Sequence, residues 1–176
     1  QTDIKKLRQQ TTADLQSAIQ RIKSWLIAGH GFMCIESGIR RIYKKGRKDC
    51  ETAYANPSPE LFHEWRKRVK YHWYHMRLVE PVWPELLRGY HRSLKKLSDL
   101  LGDDHDLEVL KNILHNEQNM ALDKDELRII TRLIETRQPQ LRISARMLSR
   151  RIYVESPSDF TQRISEYWYA WKAEKG

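Results

Sequence analysis

Apolar residues recur along most of this chain at three- and four-residue intervals, the period of a helix face. Nowhere do they alternate as a half-buried strand requires. The expected fold class is therefore all-α: one or more antiparallel helical bundles of roughly seven or eight helices joined by short connections. A first helix is expected over about 3–27, with Ile4, Leu7, Leu15, Ile19, Ile22 and Leu26 as its buried stripe and Gly29-His30-Gly31 as its end. A second begins near Ser37-Gly38 and runs towards Tyr54. The run Asn56-Pro57-Ser58-Pro59-Glu60 stops the chain and restarts it. Ser58 suits an N-cap, Pro59 the first helical position and Glu60 the positive end of the dipole. That third helix should reach about residue 79. Pro84 opens a fourth, expected to end at Leu101-Gly102, where glycine supplies a left-handed stop. Asp103 then caps a fifth, with Asp106 three residues on. The stretch 124–154 reads as helix with a break or kink at Pro139, and Ser156-Pro157 starts a last helix through Trp171.

The third helix separates two kinds of surface. At 3.6 residues per turn, Trp65, Val69, Trp73 and Met76 share a packing stripe, while His63, Arg66, Lys67, Lys70, Tyr74 and Arg77 share another about 115° away. The second row extends about 21 Å at 1.5 Å per residue. Its like charges repel across i,i+3 and i,i+4 by a few tenths of a kcal/mol per pair. The one acid nearby, Glu64, is expected to point off the row. A linear phosphate polymer suits this face: arginine takes two oxygens in a fork, lysine acts as a point charge, and histidine donates or carries charge. A solvated basic face without a ligand is the competing reading. Two further basic segments favour the ligand: Arg40, Lys44 and Arg47 or Lys48 on the second helix, and His91, Arg92, Lys95 and Lys96 on the fourth. Together the three segments are candidates to line one groove.

Composition narrows the partner without naming it. The 176 residues carry 32 Lys and Arg against 23 Asp and Glu, a formal net charge of +9. Nucleic acid, a membrane surface and phosphate polymers all fit that balance. Cys34 and Cys50 are far apart and outside any Cys-x-x-Cys pattern, so they read as idle thiols of a reducing compartment. No apolar run approaches the roughly 20 residues of a membrane span, and no signal peptide is recognised. A soluble, cytoplasmic protein is expected. The chain opens on Gln1, not methionine, and is expected to be a piece of a longer one, here taken as a single helical domain over 1–176.

Other constellations lead less far. His63-Glu64-Trp65-Arg66-Lys67 starts like a zinc-protease helix, but Lys67 stands where the second ligand belongs. His72 and His75 share a spacing that suits metal or plain helix packing. Asp103-Asp104-His105-Asp106 offers hard oxygen ligands, or a helix cap from which Asp106 anchors a basic side chain; the structural role is preferred. The rings of Tyr167-Trp168-Tyr169-Ala170-Trp171 suit packing against the bundle more than base stacking. No phosphate-binding glycine loop or nucleophile elbow is present, and neither a metal nor a cofactor is expected.

The run His63-Glu64-Trp65-Arg66-Lys67-Arg68-Val69-Lys70, followed by Leu97-x-x-Leu100-Leu101-Gly102-Asp103-Asp104-His105-Asp106-Leu107, resembles the CHAD family, the conserved histidine α-helical domains. The segment from Gly38 to Arg47 and the tail from Arg146 through Tyr153 to Pro157 resemble it too. The likeness runs over roughly 30–175, and the family's N-terminal portion is expected to be missing. It implies two similar four-helix bundles with a basic cavity for inorganic polyphosphate. It also implies a non-catalytic module found beside CYTH-type triphosphatase domains or on polyphosphate granules. By resemblance, His63, Arg66, Lys67 and Lys70 match the basic helix motif, Arg40, Arg41, Lys44 and Arg47 the preceding basic segment, and Asp106 the acidic position. Trp73-Tyr74 stands where many members carry Arg-Tyr, so one cationic contact is missing. A nucleic-acid-binding module and a metal-dependent phosphohydrolase built on Asp103, Asp104 and Asp106 are the alternatives.

Overall fold

The computed structural model describes residues 2–25, 30–116 and 123–176. Among them are six α-helices and no strand: α1 (Thr2–Lys23), α2 (Met33–Ala55), α3 (Pro59–Val79), α4 (Pro84–Asn116), α5 (Lys124–Ile152) and α6 (Pro157–Ala173), with one 3₁₀ turn at Glu80–Val82. The all-α class is as the periodicity predicts. The helix count is lower because the expected fourth and fifth helices are one. α4 runs straight through Gly102, the only positive-φ glycine among the described residues being Gly31. Asp103 is consequently a mid-helix residue and caps nothing. α5 is likewise uninterrupted at Pro139, which sits exposed inside it. The restart at Ser58 is as expected: its Oγ accepts from Leu61 N at 3.3 Å and Pro59 opens α3. Ser156 does the same for α6, accepting from Asp159 N at 3.2 Å.

The chain forms two compact units, Gln1–Cys34 and Ile35–Gly176. The first is built on α1, an amphipathic helix whose stripe was expected to be buried. Ile4, Leu7, Leu15, Ile19 and Ile22 are instead all exposed, at 52–69% of their full surface. Leu26 lies outside the described residues.

In the second unit α2, α3, α4 and α5 close a ring of antiparallel neighbours. α2 meets α3 through Tyr43 against His72, Asp49 against Arg68 and Tyr54 against Trp65. α3 meets α4 through His63 against His105 and Trp73 against His91. α4 meets α5 through Asp104 against Arg142 and Lys111 against Glu135. α5 returns to α2 through Ser149 against Cys50, and Tyr153 packs so close that a Cβ on Gly46 would lie 2.5 Å from its Oη. Up-down neighbours of this kind follow from short connections. The interior holds Tyr43, Trp65, Val69, His72, Met76, Leu94, Leu97 and Phe160, each fully buried. The end of α5 leaves backbone carbonyls without helical partners; Tyr43 and Tyr90 both donate to that of Ile152, at 3.2 and 3.1 Å. His72 lies among the rings of Tyr43, Tyr90, Tyr153 and Phe160, as helix packing requires.

A candidate anion-binding seam between two helices

The row predicted on α3 lies along its contact with α4. His63 faces His105 at 4.5 Å between ring centroids. One turn on, Arg66 lies over Gly102: a Cβ built there would be 3.7 Å from its Nε. Lys70 follows, half-buried. At the far end Trp73 stacks on the His91 ring at 5.6 Å and on Tyr74 at 5.0 Å, while the Lys95 ammonium stands 5.7 Å from the indole centroid. The register is that of antiparallel helices, so ascending positions on α3 meet descending ones on α4.

Donors along this seam lack protein partners. His63 Nδ1, Arg66 Nε, Trp73 Nε1 and His91 Nε2 are buried without a hydrogen bond. Buried polar groups are ordinarily satisfied, and an unpaired one costs about 1–3 kcal/mol. Arg66, Lys70 and Arg77 make no ion pair among the described residues. Lys67 is different: Glu64, expected to point away, takes its Nζ at 2.7 Å and reaches Arg68 at 3.5 Å. The row's outer edge is thus partly neutralised and its inner edge is not. Lys95 pairs with Asp99 at 2.5 Å, and His91 Nδ1 with Glu80 at 3.0 Å. Burial first, then the charges of His105, Lys67 and Arg66, pushes the His63 pKa below the ordinary imidazole value. At neutral pH the ring is therefore uncharged and resists protonation until an anion's own charge offsets the cations around it.

Not every predicted residue joins this seam. α2 packs on the side of α3 that carries Arg68, His72 and His75, about 160° round the helix from the basic row by its period. Arg40, Arg41 and Lys44 instead border a hollow of ≈ 420 Å³ with Ser37, Pro157 and Ser158, at the start of α6. Arg47 donates to the Glu155 carbonyl at 3.0 Å and pairs with Glu51 at 3.5 Å, and Lys48 is exposed. The three basic segments therefore do not line one groove. On α4, Lys95 borders the seam, whereas Arg92 and Lys96 are exposed and turned further round, Lys96 by about 100° from its neighbour. Tyr74 and Arg77 are exposed at the open side. His105 and Gly102 were missed as wall residues. Their spacing from Lys95, seven positions on for Gly102 and ten for His105, was the available signal once the helix is known to continue.

The acidic cluster is split by the same helix. Asp104 is buried, and both its oxygens take the Arg142 guanidinium, Oδ1 from Nε at 2.8 Å and Oδ2 from Nη2 at 3.2 Å. Burial raises its pKa and Arg142 opposes the rise. Asp106, expected to anchor a basic side chain, is exposed and makes no hydrogen bond or ion pair among the described residues; Asp104 holds that role. Among the described residues no group of three or more His, Cys, Asp or Glu is placed to hold a metal, and no helix is long and apolar enough to cross a membrane.

A family model described as CHAD domain matches residues 3–115. The chain belongs to the CHAD-domain family. The match spans α1 to α4 and so contains both walls of the seam, starting earlier than the resemblance read from the motifs and leaving the tail outside it. No curated protein and no solved structure matches the chain. Within this CHAD domain, the histidine that opens the motif faces His105 of α4, and the arginine three residues on lies over Gly102.

Proposed function

We propose that this CHAD-domain chain binds inorganic polyphosphate along the α3–α4 seam and performs no chemistry on it. The observation that carries the reading is the line His63, Arg66, Lys70: half-buried, in no ion pair among the described residues, with His63 Nδ1 and Arg66 Nε buried and unbonded. A linear polyanion satisfies such a line repeatedly, because each phosphoryl unit brings oxygens for one more donor. Arginine supplies forked contacts and lysine point contacts. The phosphohydrolase alternative finds no support, because Asp104 is consumed by Arg142 while Asp103 and Asp106 leave α4 in other directions. Polyphosphate granules or a neighbouring CYTH-type domain are the settings in which such a module would meet its ligand.

The test is titration with long-chain polyphosphate at physiological salt. Two charge-assisted contacts of about 1.5 kcal/mol each are worth about 3 kcal/mol, so Arg66→Gln with Lys70→Gln should weaken binding about a hundredfold at unchanged helicity. Excess duplex DNA should not displace the polymer. Unchanged affinity in the double variant sinks the site, and ready displacement by DNA transfers the reading to nucleic acid.

A further inference from the structure

The ring of helices has an edge opposite the seam, where α2 meets α5, and a second basic groove runs along it. Arg47 on one side and Arg146 and Arg150 on the other border a cavity of ≈ 410 Å³ floored by Tyr54, Ser149 and Tyr153. Arg146 and Arg150 sit at i and i+4 on α5, so they repel each other. Neither has an acidic partner among the described residues, and the one carboxylate at the rim, Glu51, is held by Arg47 at 3.5 Å. The Arg146 guanidinium lies 4.7 Å over the Tyr54 ring. That ring is fixed in turn, its Oη donating to the Arg142 carbonyl at 2.5 Å. Ser149 Oγ is tied to Arg146 O at 2.9 Å and to Cys50 Sγ at 3.3 Å. The floor and Arg47 are therefore held in place, while the charges of Arg146 and Arg150 stay unneutralised by any carboxylate among the described residues.

The cations here are all arginines, and guanidinium forks match phosphoryl oxygens two at a time. We propose that the α2–α5 groove is a second phosphoryl-binding site, so that each chain grips phosphate polymers on two opposite faces. For its second grip the proposal rests on the seam reading; the groove's own chemistry stands apart from it. The two sites are separated by the full thickness of the bundle, about 20 Å for two helix layers. A short oligophosphate cannot reach both. A long polymer brought to both faces links protein molecules into a network.

Tripolyphosphate titrated into the full chain by calorimetry at low salt tests this. Two equivalents should bind. Arg146→Gln with Arg150→Gln should leave one, weakening groove binding at least tenfold, and Arg66→Gln with Lys70→Gln should leave the other. Arg146→Lys with Arg150→Lys, which keeps charge and loses the fork, should retain a weakened second equivalent. With long-chain polyphosphate near equivalence, wild type should scatter light strongly and either Gln pair should stay clear. A single equivalent, indifferent to Arg146 and Arg150 and lost with Arg66 and Lys70, overturns the second site and leaves the seam standing. A single equivalent lost only with Arg146 and Arg150 overturns two-faced binding and the seam together.

Discussion

Replacing Gly102 should move stability and binding in opposite directions. The residue lies inside α4, where glycine costs about 1 kcal/mol relative to alanine. A Cβ there would be 3.7 Å from Arg66 Nε and 3.8 Å from Nη2, ordinary contact distances that require no movement. Gly102→Ala should therefore stabilise the chain by about 1 kcal/mol, or about 3 °C in melting temperature for a domain of this size. A longer side chain is another matter. Helical side chains lean towards the helix N-terminus, which on α4 means into the space between Arg66 and Lys70. Gly102→Leu should displace the Arg66 guanidinium and cost one charge-assisted contact, about 1.5–3 kcal/mol, or at least tenfold in polyphosphate affinity. Thermal unfolding by circular dichroism and titration followed by tryptophan fluorescence measure the two effects side by side. Wild-type affinity in Gly102→Leu would refute the placement of ligand along the seam. A lowered melting temperature in Gly102→Ala would refute the claim that a methyl fits here without movement.

Four more outcomes follow from side chains already described. Trp65, fully buried between α2 and α3, should cost about 3–5 kcal/mol in urea unfolding when cut to alanine. Arg142→Gln strands a buried carboxylate and should destabilise by about 3 kcal/mol, with Asp104→Asn in the same chain restoring part of it; no rescue would mean the pair is not the lock between α4 and α5. Burial drives the His72 pKa down to about 3, so the folded chain refuses a proton that the unfolded one accepts below about pH 6.5. Stability is therefore whole above that value and should fall by about 2.5 kcal/mol between pH 6 and pH 4, a slope that His72→Phe removes. His63, also shifted down, is faced by His105, Arg66, Lys67 and Glu64. Polyphosphate should make it take up a proton, so affinity should rise from pH 7 to pH 6 in wild type and stay flat in His63→Gln.

Local rules succeeded where the chain's own neighbours decide the outcome. Ser58 and Pro59 begin a helix because capping is a matter of three residues, and the basic row on α3 follows from its period alone. They failed where distant residues decide. Gly102 looks like a stop because glycine commonly ends helices, yet α4 runs straight through it and Arg66 from another helix lies over it. Asp104 looks like a cap or a metal ligand because its partner, Arg142, is far along the chain. The separation of Arg40, Arg41 and Lys44 from the seam was hidden for the same reason: periodicity tells which face of α2 they occupy and not which face of α3 that helix covers. The groove at Arg146 and Arg150 needed the return of α5 to α2 before it could be seen at all.

The turn Glu80–Val82 that joins α3 to α4 has a consequence in time. Every wall residue of the seam lies between His63 and His105, in two helices that fold back on each other across one short connection. Closing so short a loop costs little chain entropy, and contacts of low sequence separation form early. During synthesis both walls are made before Arg142 is added, so the two helices can pair ahead of the clasp that later ties Asp104 to α5. The row of cations is thus in place before the α5 side of the ring exists to close it.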